Sequence, residues 1–555
     1  MMKTGFKNIA GALALVVATA MLVSCGGGGG GGTSVPSSGG SSGGGGGGSG
    51  GSASGWISGV FQAASQFKDK CQSPRSGVDS EGNAFTDKAG TLSDEKNWLR
   101  SWTHETYLWN TEVYDTDPGL PGAVLDYFGI LKTQAKTASG KDKDNFHFSQ
   151  PTADYLAQRN SAATASYGAT FTVISGTVPR DVRVAFTDPG TPADNVVGGQ
   201  KNLIRGTQIL SVNGIDLVNG GTTQAQVDQL NQGLFPPTAG TTNTFVVRDP
   251  GSSVTRTITL TSQNLVSKPV NRTKVLTDGS GNKVGYILFN TFSPYSSESD
   301  LVSAISTLRD ANVSDLVLDL RYNGGGLLAV ASELGYMVAG NTRTTGRTFE
   351  RLSFNAAAGT RNPVTGETNS PVPFYNSGQG FSVTAGTALP TLNLGRVFVL
   401  TTGSTCSASE AVINGLRGAG VQVIQIGSKT CGKPYGFYPQ DNCGTTYYSI
   451  QFQGVNDIGF GDYADGFVPA NSTEVNGVKV PGCAVADDYS RELGDSAEGL
   501  LSAALGYGTA GTCPAVSTIV AKSGASTSGT RVSSPALSPP VRFIMETNRD
   551  MTHIR

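Results

Sequence analysis

The sequence predicts a multi-domain α+β chain in which an N-terminal helical region precedes a compact β domain and an α/β core. Three observations predict it: aromatic residues at helical spacing near residue 100, short β-rich runs separated by turn residues from 167 to 265, and apolar runs alternating with amphipathic stretches from 268 to 515. At 555 residues the chain exceeds one usual domain, so two or three folded units are expected between low-complexity ends. Charged residues make up only 15% and the net charge is −2, which argues against binding nucleic acid through a broad positive field.

Lys3 and Lys7 precede an apolar run from Ile9 to Val23, too short to span a bilayer comfortably, so residues 1–24 read as a signal peptide. The run ends Leu22-Val23-Ser24-Cys25, which resembles a bacterial lipobox. Cys25 is therefore the expected lipidation site, and the protein is expected to be exported and anchored to the cell envelope. Gly26 supplies none of the retention signal that an Asp would, which favours the outer membrane. Residues 25–55 are almost wholly Gly and Ser and form a tether with a reach of about 30 Å, given roughly 5–6 Å × √n for such linkers. At the other end, Ser, Thr, Ala and Pro dominate beyond Cys513, and 516–555 reads as a poorly ordered tail.

In 56–160, Trp98, Leu99, Trp102, Tyr107, Leu108 and Trp109 are spaced so that several share one helical face, which predicts a small helical domain with an aromatic core. In 161–265, the runs Phe171-Val173, Val182-Phe186, Gln208-Val212, Thr244-Val247 and Thr255-Leu260 predict strands. There Gly168-Ala169-Thr170-Phe171 resembles the carboxylate-binding loop of PDZ domains, and Pro189 to Gly214 resembles their central segment, with Thr207 where an acidic residue is common. The resemblance implies capture of a peptide terminus by backbone N–H groups at a sheet edge. In 266–515, Val284-Phe289, Leu316-Leu320, Val397-Leu400 and Val421-Ile426 read as buried strands, with helices at Ser297–Arg309, Leu327–Val338 and Ser409–Leu416. Residues near 341–392 read as an insertion.

Six cysteines besides Cys25 (Cys71, Cys406, Cys431, Cys443, Cys483, Cys513) predict disulfides in an oxidising compartment. All 15 pairings stay open, although the short spacing of Cys431 and Cys443 favours a local loop. Zinc is disfavoured, since no C-x-x-C pair exists and the chain has 3 His.

The chemistry concentrates in Gly403-Ser404-Thr405-Cys406-Ser407-Ala408-Ser409-Glu410, between a buried strand and an apolar-periodic helix. A hydroxyl there is presented at a helix start whose unpaired N–H groups can stabilise negative charge. The usual base is His, but His104 and His147 fall in the N-terminal region and His553 in the tail. A buried lysine is the alternative, and Lys433 in Thr430-Cys431-Gly432-Lys433-Pro434 follows the next strand, one strand-helix-strand unit later. Taken singly, Ser407 caps a helix, Glu410 completes its capping box, Lys433 is a surface charge, and Asp319 with Arg321 is a structural ion pair.

With Asp319-Leu320-Arg321-Tyr322-Asn323-Gly324-Gly325-Gly326, the Ser407-Ala408-Ser409-Glu410 box and Gly432-Lys433, most of the chain resembles the C-terminal processing peptidases, the tail-specific serine proteases of family S41. The resemblance implies a ClpP/crotonase-like α/β core, Ser407 as nucleophile, Lys433 as general base, and oxyanion donors at the backbone N–H groups of Ala408 and Gly325 or Gly326. It implies protein or peptide substrates and no metal or organic cofactor, and leaves the oligomeric state open. Family members often carry a glutamine four residues after the lysine. Phe437 stands there, leaving Gln440 or Tyr435 as substitutes.

Other classes fit less well. Gly427 to Lys433 matches the spacing of a phosphate-binding loop, but Pro434 replaces its magnesium-ligating hydroxyl. Gly-x-Ser-x-Gly occurs only in the tether around Ser49, where no esterase elbow can form. The remaining alternative is a catalytically inert, lipid-anchored scaffold that binds proteins through its PDZ-like domain.

Overall fold

The structure, a computed structural model, describes residues 56–513 and the backbone of a short strand at Arg549–Asp550. The expected signal peptide, Cys25 and tether lie outside the described residues, as does the expected tail apart from 549–550. Among the described residues no helix is long and apolar enough to cross a membrane.

Helix α1 (Leu92–Thr106) opens on a reciprocal cap. Asp94 N–H donates to Thr91 Oγ1 at 3.1 Å while Thr91 N–H donates back to the Asp94 carboxylate at 2.9 Å. Its apolar face buries Trp98, Leu99 and Trp102 against Tyr127 and Phe128 of α2 (Val124–Ile130). The helix stops short of the full aromatic run, because Tyr107 turns to extended backbone and Leu108 N–H donates to Ile450 O at 2.8 Å. Tyr107, Leu108 and Trp109 therefore join a different cluster, with Tyr435, Phe437 and Tyr448. Strand β1 (Phe148–Pro151) pairs antiparallel with Thr445–Tyr448, and α3 (Thr152–Arg159) follows.

Strands β2 (Ala169–Ser175), β3 (Asp181–Thr187), β4 (Gln208–Val212), β5 (Thr242–Arg248) and β6 (Thr255–Thr261) form an antiparallel sheet in the order β6-β5-β4-β3-β2. Alternating burial along β5 marks one face as core. Helix α4 (Gln224–Leu234), capped by Thr223, packs Val227, Leu230 and Leu234 onto that face.

The second large sheet runs β7 (Val270–Thr277), β8 (Lys283–Phe289), β9 (Asp315–Asp319), β10 (Arg396–Thr401), β11 (Gln422–Gly427) and β12 (Gly482–Ala484), side by side and parallel except for the antiparallel β7–β8 pair. Its central strands read as continuous apolar runs because both faces are covered. Helices α5 (Ser296–Asp310), α6 (Leu328–Ala339) and α7 (Ala408–Gly418) share one core with one face, and α8 (Gly499–Ala510) shares the core of the other. Within 341–392, strand Thr348–Ser353 pairs with Phe452–Val455.

The disulfides are Cys71–Cys443, Cys406–Cys431 and Cys483–Cys513. The expected Cys431–Cys443 loop is therefore not formed. Cys406 and Cys431 follow adjacent parallel strands and meet at one sheet edge with Cα atoms 5.2 Å apart. Cys443 instead lies at the turn before Thr445–Tyr448, which carries it toward the N-terminal region.

Candidate active site

Thr401, at the end of β10, pairs with Gly427, at the end of β11, so the chain leaves both strands at the same edge. That edge is where open α/β sheets place their sites. Ser407 caps α7 with φ 59° and ψ −112°, a conformation that costs a non-glycine residue about 1–3 kcal/mol and persists only when the surroundings impose it. The surroundings do so. Cys406 N–H and Ser409 Oγ both donate to Asn323 O, at 3.1 and 3.0 Å, and Thr405 Oγ1 donates to Leu320 O at 2.8 Å. The Cys406–Cys431 bond and the Cys431 N–H to Thr405 O bond (3.0 Å) tie the corner to the Lys433 loop. Ser407 is fully buried, and its Oγ has no hydrogen-bond partner among the described residues.

Glu410 joins the two candidate catalytic residues. One carboxylate oxygen accepts Ser407 N–H at 3.0 Å and Lys433 N–H at 2.8 Å, so those nitrogens are at most 5.8 Å apart, the sum of the two bonds. The other accepts Gly432 N–H at 2.9 Å and the Thr430 hydroxyl. Burial pushes the Glu410 carboxyl above its ordinary value, against the pull of these donors. A helix capping box accounts only for the Ser407 half of this arrangement.

Lys433 is fully buried, with Nζ 4.8 Å from the centre of the Phe146 ring and 4.6 Å from that of Phe437. Phe437 thus meets the lysine with a ring face where the family pattern has an amide. Gln440 does not substitute, since its amide donates to Pro439 O at 3.0 Å. Tyr435 and Trp109 meet edge to face, 4.7 Å between centroids. Phe146 belongs to the N-terminal region, and no sequence signal tied that region to Lys433.

Of the candidate oxyanion donors, Ala408 is the first residue of α7, and an N–H in a first helical turn has no intrahelical acceptor. Gly325 N–H donates to Asn323 Oδ1 at 2.9 Å, so Gly325 is engaged in this arrangement. Gly326, at φ 135°, pairs with Phe292, and a Cβ there would lie 2.3 Å from Phe292 backbone carbon. Asn323, which sequence reasoning passed over, holds the segment from both ends, since its own amide also donates to Phe289 O at 3.0 Å.

Beneath this segment Arg321 is fully buried, bonded to Asp319 at 2.9 Å and to Asp487 and Glu498 at 2.7 Å each. A buried cation needs this degree of pairing. Arg205, between β3 and β4, also reaches Asp487 at 2.7 Å and Tyr322 OH at 2.7 Å. Burial pushes the Asp487 carboxyl up, but Arg205 and Arg321 outweigh it and hold it below the usual range.

Gly168 precedes edge strand β2 at φ 75°, where a Cβ would collide with Thr191. Its N–H donates to Ser166 Oγ at 3.0 Å, while Ala169, Thr170 and Phe171 pair with β3. Phe171 is buried against Phe235 at the end of α4. His147 Nε2 bonds Phe128 O at 2.9 Å, and burial pushes its ring down to about 4. Cys406, Glu410 and Cys431 cluster closely enough to suggest a metal site, but the two sulfurs are bonded to each other and the carboxylate is occupied by donors.

Residues 283–437, which include Ser407, Lys433 and Gly325, match the family model of peptidase family S41. The chain is 31% identical over 146 residues to the carboxyl-terminal-processing protease of Picosynechococcus sp. (strain ATCC 27264 / PCC 7002 / PR-6), a match covering 26% of this chain and 32% of that relative. The matched part thus spans about a third of that relative's length. The fold is similar to the crystal structure of a protein from Bacteroides fragilis NCTC 9343 assigned to the S41 proteases, with a TM-score of 0.53 and 23% identity, covering 75% of this chain and 97% of that one.

Proposed function

We propose that the chain is a serine endopeptidase acting through a Ser407/Lys433 dyad on exported or envelope proteins. The observation that carries this reading is the strained, buried Ser407 at a helix start, with its N–H and that of Lys433 gathered on one Glu410 oxygen. Neutral Lys433 takes the Ser407 proton, and the alkoxide attacks a peptide carbonyl to form a tetrahedral oxyanion. Backbone N–H groups of Ala408 and of the Gly325-Gly326 segment stabilise it. The intermediate collapses as Lys433 returns the proton to the leaving amine, and water releases the acyl-enzyme. Gly325 serves only when Asn323 Oδ1 gives up its N–H, so Gly325 has to exchange one acceptor for another.

Full burial removes Lys433 from the water that would solvate an ammonium, the general condition under which a lysine can serve as a base. The base works only when unprotonated, so activity rises with pH through the lysine titration and persists into mildly alkaline solution. The β domain acts as a PDZ-like capture module, its edge strand β2 accepting a peptide strand and the Gly168–Phe171 turn its carboxylate. Export and anchoring through Cys25, with the outer membrane as the site, complete the proposal.

The test is cleavage of an unfolded protein with an apolar C-terminus by the wild type, Ser407→Ala and Lys433→Ala chains. Turnover that both substitutions reduce by roughly 10⁴-fold or more supports the dyad. Turnover that survives either one overturns it.

A further inference from the structure

Arg549–Asp550 lies far in sequence from the two described strands beside it. It pairs in parallel with Gly326–Leu327, Arg549 level with Gly326 and Asp550 with Leu327. Its backbone also lies beside strand Tyr435–Gly436. Both neighbours adjoin candidate site residues along the chain, since Gly326 follows Gly325 directly and Tyr435 lies two residues beyond Lys433. Gly326 also pairs with Phe292, so the 549–550 strand extends an existing ladder. The space beside Gly326 admits no side chain on that glycine, which leaves its backbone as the recognition element.

We propose that the strand Arg549–Asp550 is a ligand of the active-site groove held in cis. It adds as a strand to Gly326–Leu327 and occupies the path that a substrate backbone takes past Ser407. Competition with substrate rests on the protease reading above, whereas the strand addition stands without it. Strand addition supplies main-chain hydrogen bonds that depend little on side-chain identity, so one groove can hold both the chain's own segment and a foreign peptide.

The covalent link makes a weak interaction count. Cys513 is fixed to Cys483 in β12, and 35 residues separate it from Arg549. A covalent link generally converts such binding to an intramolecular event with an effective concentration on the order of millimolar, so a segment with a Kd of about 0.1 mM would weaken a competing peptide's apparent affinity roughly tenfold.

The experiment uses the full-length chain carrying Ser407→Ala, which cannot consume its probe, and a fluorescent peptide of residues 541–555 read by anisotropy. The same chain with Arg549→Pro and Asp550→Pro loses the N–H groups that the ladder requires. The peptide is expected to bind the proline variant about tenfold more tightly, with amides 326–327 and 435–436 losing protection from hydrogen exchange. Equal affinity for both chains, or binding to neither, overturns the inference. With Ser407 restored, the proline variant is expected to lower the apparent KM of a peptide substrate about tenfold at unchanged kcat. An unchanged KM beside a real binding shift overturns the competition. A binding shift with no turnover in any form keeps the strand addition and sinks the protease reading.

Discussion

Two buried carboxylates in this molecule use the same device for different ends. Glu410 collects N–H groups from Ser407, Gly432 and Lys433. Glu298, on α5, collects those of Gln379 and Val383 at 2.6 Å each, Ser382 at 2.6 Å and Gly380 at 3.2 Å, pinning the insertion to the core. Both sites turn a loop that lacks regular structure into a fixed object. A buried carboxylate ringed by backbone donors is thus a way to set loop geometry, and its importance to function depends on what the loop carries. At Glu410 the loops carry a strained serine and a buried lysine. At Glu298 the loop carries no group with evident chemistry, and a second acid, Glu333 of α6, shares Gln379 N–H at 3.0 Å. Burial and the Glu298 charge beside it push Glu333 up to about 9, so it is neutral at ordinary pH.

The sharpest way to break this contrast is Glu410→Gln. The amide NH2 would face N–H donors, leaving buried groups unpaired at a cost of about 1–3 kcal/mol. Under the proposed dyad, displacing Ser407 and Lys433 should lower kcat by about 10²-fold, with KM little changed. A variant that loses stability and keeps kcat, measured well below its melting temperature, would reduce Glu410 to a structural residue.

Joint Cys406→Ser and Cys431→Ser replacement removes the covalent tie between the same loops. It should cost about 2–4 kcal/mol and lower kcat, and thermal unfolding with and without reductant would check it. Glu298→Gln should cost a similar 1–3 kcal/mol with kcat unaffected, which is the complementary half of the comparison.

The smallest effect at low pH is at Glu333. Its pKa in the folded chain lies near 9 against an ordinary value of 4.5, so above 4.5 the unfolded chain releases a proton that the folded chain keeps. Stability from this group is therefore fully present below 4.5 and lost progressively as pH rises toward 9. Glu333→Gln should change stability by less than about 1 kcal/mol at low pH and flatten that decline. Denaturant melts at several pH values would show it, and an unaltered slope would mean that Glu333 is ionised in the fold.

Much of the core was legible in the sequence because its signals are local. The apolar runs that became β8 to β11 and the periodic stretches that became α5 to α7 each carry their own pattern, and Ser407 at a strand-helix turn follows from that order. The position of Lys433 one unit later follows from parallel topology. What could not be read depends on contacts between distant residues. Nothing near Phe146 in sequence announces Lys433, nor does anything near Cys71 announce Cys443. The positive φ of Ser407 likewise comes from Asn323, Glu410 and Cys431, none adjacent to it, and the same spacing would suit a simple helix cap. The end of α1 is not marked in the aromatic spacing, because Tyr107 to Trp109 continue that spacing while packing on another cluster.

The central claim is that Lys433 activates Ser407. Its most direct test is covalent labelling of the full-length chain with a serine-directed acylating or phosphonylating reagent, with the modified residue located by mass spectrometry across a pH series. A single label on Ser407 is expected, at a rate that rises with pH, and that label should be lost in Lys433→Ala. Labelling of Ser407 at the same rate without Lys433, or labelling elsewhere with Ser407 untouched, would contradict it.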